Sequence, residues 1–299
     1  MKKLSDIDKV DQRLLVLVLG SQKAGTSWMW NFIGSIPGHR PGLVKEYHIF
    51  DSIYVPAFKQ YRSGIMKGGR KAAQIDPSNQ SIGQRRAVYR YNFLVNPRSY
   101  FDFMGGLLAG DNFALTCDAS PTYMALPVEA LERIKKQCEL RGIIVKPILL
   151  MREPVDRWLS DIRFTMQRRP GYVYSVDSEK RFINLARGAA NPYLDAVSDY
   201  KGAMDRVSEV FGEEALYLIY EEFFNQKDAR AVCDFLGVSE VAGDWGEIRN
   251  QSKFANIKGK PTALDYLEER DRFRIQYESM IEHFGDERIR KAWGDLVPT

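Results

Sequence analysis

The 299-residue sequence predicts a three-layer α/β fold, in which a central, mostly parallel sheet is flanked by helices. Short apolar runs alternate along the chain with longer segments of helical periodicity, which is the pattern of such a fold. The first run, residues 14–19, is continuously apolar and is typical of a parallel strand buried on both faces. Ligands of these sheets bind beyond the carboxyl ends of the strands, so we look for a site at that edge.

The bulk composition, with 44% hydrophobic and 27% charged residues, is that of a soluble globular protein. A net charge of +4 favours anionic ligands but is too small to predict nucleic-acid binding. Three scattered cysteines and three histidines predict neither a disulfide framework nor a metal site. No apolar run is long enough for a membrane span, and the first is a poor signal peptide. We expect one cytoplasmic domain over residues 1–299.

The segment 20–28, Gly-Ser-Gln-Lys-Ala-Gly-Thr-Ser-Trp, joins the first strand to the first helix. Apolar residues with helical spacing follow it until Pro37-Gly38 ends the pattern. A strand–turn–helix junction directs free backbone N–H groups and the positive end of the helix dipole to one place, which suits a phosphate or sulfate. Lys23 adds a cation there, and Thr26 and Ser27 add hydroxyl groups.

The spacing of this loop is P-loop-like, but it differs from a Walker A motif. Gly20 and Gly25 match the two glycines, whereas Thr26 stands where the motif has lysine and Lys23 lies inside the loop. A lysine two residues before the second glycine points differently from one that reaches a triphosphate. The loop therefore argues against a kinase or NTPase, and a glycine-rich turn without a ligand is the simpler alternative.

Residues 52–100 are rich in aromatic and basic side chains and show no clear period. Two interpretations stay open for the insertion around residues 52–110. It is either a solvated, partly helical insertion or a wall that binds an acceptor.

The remaining helices and strands are predicted from hydrophobic periodicity and from the positions of proline and glycine. Proline opens helices at Pro127 and Pro154, and glycine ends them at Gly212 and Gly237. Pro147 lies inside a predicted strand, where it removes one ladder donor. The predicted strands are 113–117, 143–151 and 215–220, and the predicted helices are 127–140, one beginning at 154, 193–211, 223–236 and 263–284.

Residues 152–160, Arg-Glu-Pro-Val-Asp-Arg-Trp-Leu-Ser, are the second informative segment. Arg152 leaves the carboxyl end of a strand, and the helix begun by Pro154 places Asp156, Arg157 and Ser160 on one face. Arg152 and Ser160 can then meet one anion from two sides. A helix cap carrying ordinary ion pairs is the alternative.

Taken together, these segments resemble the sulfotransferases that use 3′-phosphoadenosine 5′-phosphosulfate. Segment 20–28 resembles the family's 5′-phosphosulfate loop, and 152–160 resembles its 3′-phosphate motif. Segment 45–51, Lys-Glu-Tyr-His-Ile-Phe-Asp, is similar to the Lys-Glu-x-His-Phe-Phe-Asp segment of the heparan-sulfate branch, and 120–123 to that branch's Ser-Pro-x-Tyr turn. Segment 258–261, Lys-Gly-Lys-Pro, resembles the loop that closes over the nucleotide, with Lys260 in place of the usual arginine.

The resemblance implies the donor 3′-phosphoadenosine 5′-phosphosulfate, its product adenosine 3′,5′-bisphosphate, and no metal. It implies that Glu46 is the general base, that Lys23 stabilises the leaving group, and that Lys45 and His48 tune or orient Glu46. The implied donor-binding residues are Lys23, Ala24, Gly25, Thr26, Ser27, Trp28, Arg152, Ser160, Lys258, Gly259 and Lys260.

The acceptor side departs from the heparan-sulfate branch, because residues 52–100 match no pattern of it. The paired cysteines of its extracellular members are also missing near Lys258. We therefore expect a bacterial, cytoplasmic member that acts on a hydroxyl or amine of a small-molecule or carbohydrate acceptor.

Two other functions remain as hypotheses: a P-loop kinase or NTPase, and a non-catalytic module that binds a nucleotide or an anionic glycan. Single residues also have alternatives. His48 is either part of the site or a histidine satisfied by packing. Asp118 is either a structural turn residue, which we favour, or the counterpart of a Walker B magnesium ligand.

Overall fold

The computed structural model describes residues 12–110, 115–188, 191–223, 226–241 and 261–298. A four-stranded sheet lies at its centre, and every pairing in it is parallel. The spatial order of the strands is β2–β1–β3–β4, and their bounds are β1 Arg13–Gly20, β2 Leu115–Asp118, β3 Ile143–Met151 and β4 Leu216–Ile219. The predicted α/β fold with a central parallel sheet is thereby confirmed.

Strand β1 shows how the sequence builds three layers, because its consecutive side chains enter two different cores. Leu14, Val16 and Val18 pack with the helices of one layer, and the intervening leucines 15, 17 and 19 pack with those of the other. All six side chains are fully buried. A strand buried on both faces requires this continuous apolar run, because neither face meets water.

Helices occupy both faces and the ends of the sheet. Their bounds are α1 Thr26–Ser35, α2 Phe50–Tyr54, α3 Lys59–Ala73, α4 Ile82–Val95, α5 Arg98–Leu107, α6 Val128–Glu139, α7 Pro154–Gln167, α8 Val176–Gly188, α9 Pro192–Ala196, α10 Tyr200–Phe211, α11 Gln226–Leu236, α12 Arg274–Phe284 and α13 Asp286–Trp293. None of the helices in the described part of the chain combines the length and apolarity that crossing a bilayer requires.

The insertion at residues 52–110 is helical over most of its length, although the sequence showed no clear period there. Helices α3 and α4 form an antiparallel hairpin whose closest approach is at Gly69. A Cβ atom at Gly69 would lie 2.2 Å from Cβ of Tyr91, so the crossing admits only glycine at this position.

Several predicted helices have different bounds in the structure. The single helix predicted over 193–211 is two helices, because Asp199 caps α10 by accepting a hydrogen bond from the N–H of Gly202 at 2.9 Å. The helix predicted over 263–284 is a 3₁₀ segment, Ala263–Phe273, kinked at Tyr266 and followed by α12. The helix predicted from 223 begins at Gln226.

The predicted strands agree better with the structure. Strand β3 has the predicted bounds, and Pro147 lies one residue before the pairing of β3 with the short strand β4 begins. Strand β2 begins at Leu115, and the predicted residues 113 and 114 lie outside the described part of the chain.

Candidate active site

The loop between β1 and α1 has the geometry expected of an anion site. Helix α1 begins at Thr26, and its N-cap, Gly25, has a φ of +86° and offers no side chain to the first turn. The N-cap thus supplies no side-chain hydrogen bond to that turn, a geometry that suits an anionic ligand. Lys23 adopts a φ of +70°, which a residue with a side chain rarely adopts and which is common at functional sites.

The ammonium group of Lys23 lies 4.0 Å from the ring centroid of Phe164 and forms no ion pair among the described residues. Burial lowers the pKa of Lys23, and the nearby cations Arg152 and Lys45 act in the same direction, whereas Asp161 and Glu46 oppose them. A poorly hydrated cation with free N–H donors is suited to an anionic ligand.

Glu46 lies at the centre of a charged cluster that reaches the loop. The Lys45 ammonium donates hydrogen bonds to Oγ of Ser27 and to Oε1 of Glu46, both at 2.8 Å. Nε2 of His48 is 3.1 Å from the other carboxylate oxygen of Glu46. The predicted base therefore lies beside the predicted donor loop, with Lys45 between them.

His48 is held in place from both ring nitrogens. Its Nδ1 is 2.7 Å from Oδ2 of the buried Asp51 and 3.1 Å from the hydroxyl of Thr122. Burial lowers the pKa of His48, but the hydrogen bonds to Asp51 and Glu46 outweigh burial and raise it to about 9. His48 is therefore protonated at neutral pH and cannot accept a proton.

The opposite shift occurs at Glu46. Burial raises the pKa of Glu46, but the hydrogen bond from His48 and the charge of Lys45 outweigh burial and lower it to about 2. Glu46 is therefore ionised at neutral pH, as a proton acceptor must be. His48 therefore contacts the predicted base through one ring nitrogen, and its part in the site stays a prediction.

The turn after β2 supports the backbone of this cluster. Oγ of Ser120 accepts hydrogen bonds from the N–H groups of Tyr47 at 2.9 Å and His48 at 3.2 Å, and donates to Oδ1 of Asp118 at 2.6 Å. Tyr100 donates to the other oxygen of Asp118. Burial raises the pKa of Asp118 to about 6. With both oxygens engaged by neighbouring hydroxyls, Asp118 serves as the structural turn residue that we favoured.

Arg152 lies on the other side of the loop. Its Nη1 donates to the carbonyl oxygen of Lys23 at 3.2 Å, its Nη2 is 4.0 Å from Asp156, and its guanidinium lies over the ring of Tyr220. Its buried Nε has no hydrogen-bond partner among the described residues. Such an unsatisfied buried donor is costly unless a ligand accepts from it.

Helix α7 differs from the prediction in one residue. Asp156 and Ser160 are partly exposed, but Arg157 is fully buried and donates to Oγ of Ser198. Arg157 thus does not share their face, because it lies on the adjacent side of the helix, toward α9 and α10. Its Nε and Nη1 lack partners among the described residues. Arg152 and Ser160, both described, make no hydrogen bond with each other, so their joint binding of one anion stays a prediction.

The other predicted donor residues either have buried side chains or lie outside the described residues. Ala24 is fully buried, and the ring of Trp28 packs on Phe32 and Phe223, so neither side chain faces the loop's ligand side. Residues 258–260 lie outside the described residues. The carbonyl oxygen of the next residue, Pro261, accepts from Arg163 at 2.6 Å.

Sequence reasoning missed an aromatic connection between the donor loop and the base. The hydroxyl of Tyr193 donates to Oε1 of Gln22 at 2.9 Å and lies 3.3 Å from the hydroxyl of Tyr61. The ring of Tyr61 in turn stacks on His48 with centroids 3.9 Å apart. No periodicity or motif links these residues, since they come from three distant segments.

The chain is similar to known sulfotransferases in its sequence pattern and in its fold. A family model described as the sulfotransferase domain matches residues 15–291. The crystal structure of a sulfotransferase from Alicyclobacillus acidocaldarius superposes with a TM-score of 0.52 and 18% sequence identity, covering 92% of this chain and 98% of that one. No curated protein sequence matches the chain.

Two sulfotransferase domains from larger systems are also similar in structure. The domain from the Synechococcus PCC 7002 olefin synthase has a TM-score of 0.44 and 17% identity, with 86% of this chain and 88% of that one covered. The domain from the curacin biosynthetic pathway has a TM-score of 0.42 and 14% identity, with 84% and 82% covered. Because the family model spans most of the chain, this protein belongs to the sulfotransferase family.

Proposed function

We propose that the protein transfers a sulfuryl group from 3′-phosphoadenosine 5′-phosphosulfate to a hydroxyl or amine of an acceptor, with Glu46 as general base. The observation that carries this proposal is the position of Lys45. Its ammonium donates both to Ser27 of the anion loop and to Glu46, so a single side chain joins the donor side to the base.

The residues around the loop fit a donor with two phosphate groups. The uncapped first turn of α1, with Lys23, Thr26 and Ser27, would hold the group at the 5′ position. The unsatisfied Nε of Arg152, with Ser160, would hold the 3′-phosphate, and Lys258, Gly259 and Lys260 would close over the nucleotide. Buried guanidinium donors without a partner in the described part of the chain favour an anionic ligand over a bare structural turn.

The bound donor supplies a sulfuryl group attached to a phosphate that is a good leaving group. Lys23 would stabilise negative charge at the leaving oxygen, because its ammonium forms no ion pair with any residue that the structure describes and is partly desolvated. This electrostatic role requires no metal ion in the site.

Glu46 would accept the proton of the incoming hydroxyl, because it is ionised and partly exposed. His48 would act as a positioning residue, since its proton and its two partners fix one carboxylate oxygen of Glu46. Its raised pKa removes it as the base at neutral pH. A base with so low a pKa is weak, so proton transfer would follow bond formation to sulfur, when the acceptor oxygen becomes acidic.

Finer assignments belong to the same proposal. Segment 45–51 favours the heparan-sulfate branch of the family, and the absence from the sequence near Lys258 of the cysteine pair of its extracellular members favours a bacterial, cytoplasmic member. Residues 52–110 would provide the acceptor wall within one domain, because Tyr61 of α3 stacks on His48. The acceptor would be a small molecule or a carbohydrate.

The experiment is release of adenosine 3′,5′-bisphosphate from the donor in EDTA, with a small alcohol or amine supplied as the probe acceptor that receives the sulfuryl group, for the wild type, Lys23→Ala and the exposed control Lys136→Ala. We expect the wild type and the control to turn over, and Lys23→Ala to lose turnover severely. Near-wild-type turnover of Lys23→Ala would remove the loop assignment. Loss of all activity in EDTA with rescue by magnesium would favour a P-loop kinase instead.

A further inference from the structure

The charge of the molecule is concentrated in one element, the α3–α4 hairpin, residues 59–95. This hairpin contains eight lysines and arginines but a single acidic residue, Asp76, and so carries a net charge of +7. The whole chain carries only +4, so all the other residues together carry −3. A charge asymmetry of this size indicates an electrostatic partner.

The basic side chains of the hairpin are available to such a partner. None of them forms an ion pair among the described residues, and most are exposed, whereas Arg90 is partly buried. The exposed ones are Lys59, Arg62, Lys67, Arg70, Lys71, Arg85 and Arg86. A solvated surface helix normally intersperses charges of both signs, which this hairpin does not do.

Helix α4 adds exposed apolar side chains to this basic surface. Ile82 is 69% exposed, Tyr89 is 46% exposed and Val95 is 60% exposed. Ile82 and Tyr89 are two helical turns apart, so they lie on one side of the helix, with Arg85 and Arg86 between them. The outer face of the hairpin therefore mixes cations with apolar groups and tyrosine.

We propose that the outer face of the α3–α4 hairpin docks on an anionic lipid bilayer. The cations match the negative surface potential of such a bilayer, and the isolated apolar side chains and Tyr89 match its interfacial region. A polyanionic chain in solution would use the cations but would leave Ile82 and Val95 without a role, so the bilayer accounts for more of the surface.

The hairpin that would dock also contacts the segment that carries the candidate base. Tyr61 of α3 stacks on His48, and Arg90 of α4 donates two hydrogen bonds, at 3.0 and 2.9 Å, to the carbonyl oxygen of Tyr47. The hairpin is thus attached directly to the segment that carries Glu46. Docking itself does not depend on sulfuryl transfer, so its failure would leave the proposed function untouched.

The test is cosedimentation of the full chain with vesicles of phosphatidylglycerol mixed with phosphatidylcholine, and with vesicles of phosphatidylcholine alone. We expect binding to the anionic vesicles only, weakening with salt. Each basic residue near an anionic surface strengthens binding by about fivefold, so the quadruple charge reversal of Arg70, Lys71, Arg85 and Arg86 to glutamate should weaken it at least about 100-fold.

Two further variants test whether the position of the charges and the exposed apolar side chains each matter for vesicle binding. The matched control reverses four exposed cations outside the hairpin, Lys136, Lys180, Arg181 and Lys291, and should bind far better than the hairpin variant. Ile82→Ser with Val95→Ser keeps every charge and should weaken vesicle binding several-fold without changing heparin binding. Equal loss in both charge variants, no binding to anionic vesicles, or binding to heparin but not to vesicles would overturn the proposal.

Discussion

Replacing Glu46 by glutamine removes the proposed proton acceptor and keeps the size of the side chain. We expect turnover to fall by about 10²–10⁴-fold, the usual contribution of a positioned base, which corresponds to about 2.7–5.4 kcal/mol of activation free energy. Affinity for adenosine 3′,5′-bisphosphate should change by no more than about twofold, because the contacts of Glu46 are with Lys45 and His48.

The same substitution should also change the titration of His48. The hydrogen bond to Glu46 is one of the two that raise the pKa of His48 to about 9. In Glu46→Gln that pKa should fall, although Asp51 still supports it. Titration of the His48 ring by NMR measures this shift.

The assays are initial rates with saturating donor and calorimetric titration with the bisphosphate. A loss of turnover below about tenfold would refute the assignment of Glu46 as base. A large loss of bisphosphate affinity would mean that Glu46 builds the donor pocket instead. Lys136→Gln, at an exposed position of α6, serves as the control.

Three further predictions concern the groups around Glu46. Arg152→Ala removes a charge-assisted hydrogen bond worth about 1.5–3 kcal/mol. Calorimetry should therefore show that affinity falls about tenfold or more for the 3′,5′-bisphosphate and little for the 5′-monophosphate. Equal losses of affinity would remove Arg152 from the 3′ site. The folded pKa of His48 lies above the ordinary value of 6.5, so its contribution to the free energy of unfolding is present below about pH 6.5 and is lost as pH rises through about 9. Urea titrations across this range should show a decline in the free energy of unfolding for the wild type that is absent in His48→Asn. An equal decline in His48→Asn would contradict its origin in His48. Ser120→Ala leaves two buried N–H groups without an acceptor at about 1–3 kcal/mol each, so the free energy of unfolding should fall by about 2–6 kcal/mol, and a loss no larger than that of the exposed Ser63→Ala would contradict the support that Ser120 gives.

Local patterns were sufficient to predict the sheet and the loop. The apolar runs at β1 and β3 and the glycines of segment 20–28 act through neighbouring residues, so their structure follows from the sequence nearby. Asp199 was a usable but missed signal, because an aspartate three residues before Gly202 is a typical N-cap. The insertion at 52–110, which the sequence left open as partly helical, is helical over most of its length, and the buried residues Ile65, Gly69 and Ala72 of α3 recur at helical spacing, which was a usable signal.

The support of the site could not be predicted, because it depends on contacts between distant segments. Ser120 holds the backbone of Tyr47 from 73 residues away, and Tyr61 meets Tyr193 across 132 residues. The burial of Arg157 was missed for the same reason, since its partner Ser198 lies on another element. Helical spacing gives a residue's angle around its own helix, but it does not give what packs against that angle.

The central claim is that this loop and Arg152 bind a nucleotide with phosphates at both the 3′ and 5′ positions, without a metal. Calorimetric titration of the wild-type protein with adenosine 3′,5′-bisphosphate in EDTA, beside adenosine 5′-monophosphate and ATP with magnesium, tests it most directly. We expect the bisphosphate to bind in EDTA, at least about tenfold more tightly than the monophosphate, and more tightly than ATP with magnesium. Tighter binding of ATP with magnesium, or no preference for the 3′-phosphate, would contradict it.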